Sequence, residues 1–161
     1  GSGTDAWAFD VPSDWIARVL DYCDKFDNNY LFQSKDPIRF LEFIGHPVMK
    51  KSVLCTTIET NVFYPDIVRN APGTRKRAKA MQKLASLGMR TYVTCEPLIK
   101  FDLPEMVELV SMCSPVQVNI GRNSRQDITL PEPTRNEVQA LITELQKFTK
   151  VVGKSNAKCW T

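Results

Sequence analysis

Short apolar runs alternate with amphipathic stretches along the chain, and this limits what the sequence can fold into more than any other feature. Tyr30-Leu31-Phe32, Ser52–Ile58, Arg90–Thr94, Pro115–Ile120 and a brief run around Lys150–Val152 read as strands, most of them holding β-branched or aromatic residues. Between them the periodicity is helical. Trp15, Ile16, Val19, Leu20, Cys23 and Phe26 recur at helical spacing behind Ser13, an N-cap by type. Asp36 and Pro37 open a second helix running to about Ile44, and a long one spans Thr74 to Leu87 before Gly88 stops it. Asp102 with Glu105, and Thr134 with Glu137, read as capping boxes. The first opens a helix with Met106, Val107, Leu109, Val110 and Cys113 on one face, and the second one with Val138, Leu141, Ile142, Leu145 and Phe148. Strands joined by crossovers of a dozen or more residues pair in parallel, and right-handed crossovers curl the sheet. The expected class is α/β, with a parallel-stranded sheet forming part of a TIM-like (β/α) barrel or one flank of a doubly wound sheet.

The 161 residues suit one domain over 1–161, ending in a polar tail over 153–161. Hydrophobic residues make up 43% and charged residues 24%, as in ordinary globular proteins, and no apolar run approaches the ~20 residues of a membrane span. No membrane association is expected, and no signal peptide opens the chain. Cys23, Cys55, Cys95, Cys113 and Cys159 are too widely spaced for a disulfide framework or a zinc ribbon. Three of them lie in apolar segments, where a cysteine acts as a small buried hydrophobe, and together they imply a reducing, cytoplasmic setting. His46 is the only histidine, which excludes a multi-histidine metal site. Beside Pro47 it takes a solvent-facing or packing role.

Parallel α/β sheets bind ligands outside the carboxyl ends of their strands, because every strand aims its last residues at one rim. Glu59 and Glu96 each follow a strand, and Gln33, Lys35, Asn61, Arg122 and Asn123 join them on the same argument. That set suits a polar ligand carrying an amine, hydroxyls and a carboxylate. A carboxylate buried there needs a cationic partner, for which Lys35 and Arg122 are the candidates.

In order along the chain stand Ser2 to Asp5, Gln33 to Lys35 with Pro37 and Arg39, Thr57 to Glu59, Cys95-Glu96-Pro97, and Gly121. This series resembles the radical SAM superfamily, in particular its phage and prokaryotic branch that is similar to the spore photoproduct lyase group. The resemblance covers nearly the whole chain. It implies a (β/α)6 partial barrel in which a 4Fe-4S cluster reduces S-adenosylmethionine to a carbon radical. It also implies that Ser2, Thr4 and Asp5 meet the amino-acid end of S-adenosylmethionine. Glu59 and Asn61 would then fall near the ribose and the reacting carbon, Glu96 beside them, and Gly121 against the adenine. The family holds its cluster on a C-x3-C-x2-C loop after the first strand, and no two cysteines here are close enough to form one. The resemblance therefore implies the C-terminal part of such a protein, lacking the first strand and the cluster loop and inactive alone. Its partners would be a missing N-terminal segment, or a second copy paired through the exposed sheet edge.

A second function class rests on charge. From Ile67 to Cys95 there is no Asp or Glu, while Arg69, Arg75, Lys76, Arg77, Lys79, Lys83 and Arg90 all occur. Cations at a helix start oppose the macrodipole, so local stability does not explain them. A phosphate-contacting patch for nucleic acid is one account, a module that binds a protein partner through residues 67–95 another, and a solvated outer helix face the third. The overall charge of +3 favours the solvated face.

Overall fold

A computed structural model describes residues 5–64, 71–124, 128–158 and 160. Five strands form one all-parallel sheet: β1 (Tyr30–Ser34), β2 (Ser52–Thr57), β3 (Arg90–Cys95), β4 (Gln117–Ile120) and β5 (Lys150–Gly153). They lie side by side in chain order, so every crossover joins nearest neighbours. The helices are α1 (Ser13–Asp24), α2 (Pro47–Lys50), α3 (Thr74–Ser86), α4 (Leu103–Met112) and α5 (Arg135–Leu145), with a 3-10 helix over Pro37–Phe43. This is the expected partial parallel β/α architecture, with β1 and β5 as its edges.

The helices pack on one side of the sheet. Leu54, Val93, Cys95, Val118 and Ile120 join Met81, Leu84, Met106, Leu109, Val110, Val138, Leu141 and Leu145 in one core, with Tyr30, Phe32 and Val151 packed at its margin. Strand residues alternate in direction, so the intervening positions stand on the opposite face. Leu31, Val53, Tyr92 and Val152 are the large apolar residues there, and none belongs to the core. Trp7 closes the β1 end of the core, edge-on to Phe32, Phe40 and Phe43.

Several local details depart from the sequence expectations. Ser13 is the first helical residue rather than the cap; Pro12 holds that position with no side-chain bond, and the Ser13 hydroxyl donates to Glu42. In α1 only Ile16 and Leu20 are buried, while Trp15 and Val19 are exposed, and Phe26 lies beyond the helix and is exposed as well. The segment after Asp36 winds as a 3-10 helix, and His46 caps α2 by accepting from Val48 N–H through Nδ1 at 3.2 Å. The Thr134–Glu137 box is complete, whereas Asp102 accepts from Glu105 N–H but gives its own N–H to Asn61 Oδ1. Gly88 ends α3 in the left-handed region at φ 81°. Phe148 lies beyond α5 and is exposed. The segment after β5 is not a solvated tail, since Ala157 and Trp160 are buried.

Candidate functional site at the carboxyl ends of the strands

Every strand runs in the same direction, so the residues after Ser34, Thr57, Cys95, Ile120 and Gly153 share one rim. Two side-chain clusters stand there.

The first is built on β1 and β2. Glu59 is 2% exposed, and its carboxylate accepts from Arg77 Nη1 at 2.7 Å, Arg77 Nη2 at 3.2 Å and Lys35 Nζ at 3.0 Å. Arg77 itself is wholly enclosed and also donates to Pro72 O and Thr57 O, both at 2.6 Å. Burial alone would raise the Glu59 pKa, but Arg77 and then Lys35 outweigh it and hold the carboxyl below its ordinary value. Three of its roughly four acceptor directions are filled from within the protein. Glu59 is therefore an anchor that presents Lys35, whose side chain stays 45% exposed. Asp5 is similarly committed: Oδ2 accepts from Ser34 Oγ and Lys35 N–H at 2.8 Å, and Oδ1 from Trp7 N–H.

The second cluster joins β3, β4 and the segment after β5. Glu96 accepts from Lys154 Nζ and from Asn156 Nδ2 at 3.2 Å, and its side chain remains 22% exposed. A Cβ on Gly121 would come within 2.8 Å of Glu96 Oε1 and 2.9 Å of its Cγ, so only glycine lets this carboxylate lie against β4. Asn156 also bonds Arg122 on both sides of its backbone, through Arg122 O at 3.0 Å and Arg122 N–H at 3.4 Å. The Arg122 guanidinium pairs with Glu132 and lies over the Trp160 ring.

Asp5, Lys35, Glu59, Glu96 and Gly121 thus meet at the rim, while Gln33 stands exposed on the bare face just below it. Asn61 is used elsewhere, tying the β2 loop to α4 through Glu105 and Asp102. Asn123 donates to Ile128 O. Arg122 is not the partner of a rim carboxylate; the cations in that role are Lys35, Arg77 and Lys154. Ser2 and Thr4 lie outside the described residues.

The basic stretch divides. Arg77 is buried and cannot touch phosphate, and Arg75 is held by Glu105 at 2.8 Å and Glu108 at 3.0 Å. Lys76, Lys79 and Lys83 remain exposed, and Arg69 lies outside the described residues. The helical period already carried this information, because Arg77, Met81 and Leu84 fall on one face. Lys154 and Asn156 were also missed. They follow the fifth strand, and the rim rule applied to it would have found them.

The described cysteines do not fit an iron–sulfur cluster. Cys55 stands on the bare face and Cys95 on the helical face, and burial pushes the Cys55 and Cys113 thiols up to about 12 and Cys95 up as well. Among the described residues no three Cys, His, Asp or Glu side chains are grouped to hold a metal, and no helix is long and apolar enough to cross a membrane. A shallow pocket of about 210 Å³ lies between Thr60 and Asn61, which follow Glu59, and the start of α3 at Arg75 and Lys76. An open depression of about 660 Å³ beneath Val116 and Lys150 lies at the other end of the strands. No family model matches this chain, and no curated protein matches it.

Proposed function

We propose that this chain is the S-adenosylmethionine- and substrate-facing C-terminal part of a radical SAM-like protein, whose iron–sulfur cluster comes from a cysteine loop in a longer parent chain. The observation that carries this reading is the opposite charge at one rim. Lys35 stands after β1 and Glu96 after β3, with the neutralised Glu59 after the strand between them. A zwitterionic amino-acid group needs a cation for its carboxylate and an anion for its ammonium, and this pair supplies both.

The flank of β1 supports the partial-barrel reading. Among the described residues β1 pairs only with β2, and the segment before it exposes Trp15, Val19 and Tyr22 of α1 and Phe26 just beyond. A preceding strand and helix would cover that edge.

The test is titration calorimetry of this chain and of a longer parent with S-adenosylhomocysteine, the unreactive product analogue. Saturable binding weakened by Lys35→Met and Glu96→Gln is expected. Absence of saturable binding in both proteins overturns the reading. Anaerobic iron–sulfur reconstitution should turn the parent brown.

A further inference from the structure

The two rim carboxylates are partnered in opposite ways. Glu59 is buried against Arg77, which is wholly enclosed on the inward face of α3. Glu96 stays partly exposed, and its one cationic partner among the described residues is Lys154, whose side chain is itself 44% exposed. An ion pair this open to water is worth at most about a fivefold shift in an equilibrium. The buried pair is structural, whereas the open one can exchange.

The anchoring around Glu96 points the same way. Lys154 is fixed through its backbone, where its N–H donates to Ile120 O at 2.8 Å and its carbonyl accepts from Ala157 N–H at 2.9 Å. From the end of β5 its side chain reaches past β4 to a carboxylate that follows β3. Nζ makes no other bond among the described residues. Its charge is felt even at Cys55 on the bare face, where it opposes the larger effect of burial on the thiol. Asn156 is held differently. Its two amide N–H groups go to Glu96 Oε1 at 3.2 Å and Arg122 O at 3.0 Å, and its side-chain carbonyl accepts from Arg122 N–H at 3.4 Å. The amide is thus committed on both ends, and it steadies the carboxylate whichever cation the carboxylate meets.

We propose that Lys154 is a tethered competitor for Glu96, displaced when a ligand's primary ammonium binds, and that Asn156 positions the carboxylate for either cation. Two ammonium groups on one half-open carboxylate repel each other, so the newcomer replaces the tethered one instead of joining it. A ligand with a carboxylate but no amine leaves Lys154 where it is. The inference rests on the rim reading for the class of ligand, a molecule ending in an α-amino acid.

The experiment is an NMR titration of the chain that follows the Lys154 Cε resonance, assigned by its loss in Lys154→Met. The probes are L-methionine, 4-(methylthio)butanoate as the same chain lacking the amine, and S-adenosylhomocysteine. Methionine should move the Lys154 resonance toward its position in Glu96→Gln, and 4-(methylthio)butanoate should not. Lys154→Met, checked for folding by circular dichroism, should tighten methionine by roughly 3–5-fold, the value of the lost competitor, without tightening 4-(methylthio)butanoate. Asn156→Ala should weaken methionine by a similar factor. Opposite signs at two neighbours of one carboxylate are not what a purely structural role would give. Weaker methionine binding in Lys154→Met, an equal gain for the probe without the amine, a Lys154 resonance that stays in place, no loss in Asn156→Ala, or no amine-dependent binding overturns the proposal. S-adenosylhomocysteine binding no tighter than methionine, with both effects intact, overturns the S-adenosylmethionine reading alone.

Discussion

Arg77 Nη1 donates to Glu59 Oε2 at 2.7 Å between side chains that are 0% and 3% exposed. The arginine comes from α3 on the helical side and the glutamate from the end of β2, so the pair locks the rim to the core. Removing one partner strands a buried charge, which typically costs about 3–5 kcal/mol. Glu59→Gln and Arg77→Met should each lose an amount of that order in urea unfolding. The double variant Glu59→Leu with Arg77→Met should recover part of it. Additive losses would show that the two do not act as a pair.

The same carboxylate sets an acid dependence. Its folded pKa lies below the ordinary 4.5, because Arg77 and Lys35 outweigh the effect of burial. The unfolded chain binds the proton more readily, so the contribution is fully present above about pH 4.5 and disappears as pH falls through the depressed folded value. The stability gap between the unaltered chain and Glu59→Gln should therefore shrink on acidification. Urea midpoints at pH 6 and pH 3.5 measure it, and a constant gap would contradict the assignment.

Gly121 and Glu96 are expected to be coupled. Gly121→Ala puts a methyl within 2.8 Å of Glu96 Oε1 and should push that side chain off Lys154 and Asn156. The expected loss is about 1–3 kcal/mol, as for other overpacking changes. With Glu96→Ala already in place, Gly121→Ala should cost much less. A double-mutant cycle reads the difference, and strict additivity would count against the contact.

Thiol labelling tests the shielding of the bare face of the sheet. Cys23 is half-buried, while Cys55, Cys95 and Cys113 are buried. With its pKa raised to about 12 by burial, Cys55 holds a thiolate fraction of roughly 10⁻⁴ at pH 8. Among these four, Cys23 should react first with iodoacetamide, as mass spectrometry would show. Rapid labelling of Cys55 would mean that this face is open to reagent.

The strand and helix layout was legible because period-2 and period-3.6 patterns differ strongly over segments of this length. All five strands fall within a few residues of their expected places. Distance-dependent features were less legible. Asn61 follows its strand as a ligand would, but α4 captures it, and only the fold brings Glu105 close enough to do so. Arg77 looked like one of several surface cations because the run of charge masked its position on the inward face of α3. The short α2 escaped notice, since a histidine ring capping a four-residue helix leaves no periodicity to read. Trp160 lay in a segment dominated by polar residues, yet it is buried beneath Arg122.

The one-sided placement of the helices has an evolutionary consequence. Along each strand, successive residues serve different masters: one set must satisfy a shared hydrocarbon layer, and the other answers only to whatever approaches from the open side. Drift at Tyr92, Gln117 or Asn119 can proceed without disturbing Val93, Val118 or Ile120, the neighbours that keep the scaffold together. A sheet so arranged can vary on one side while its architecture stays constant.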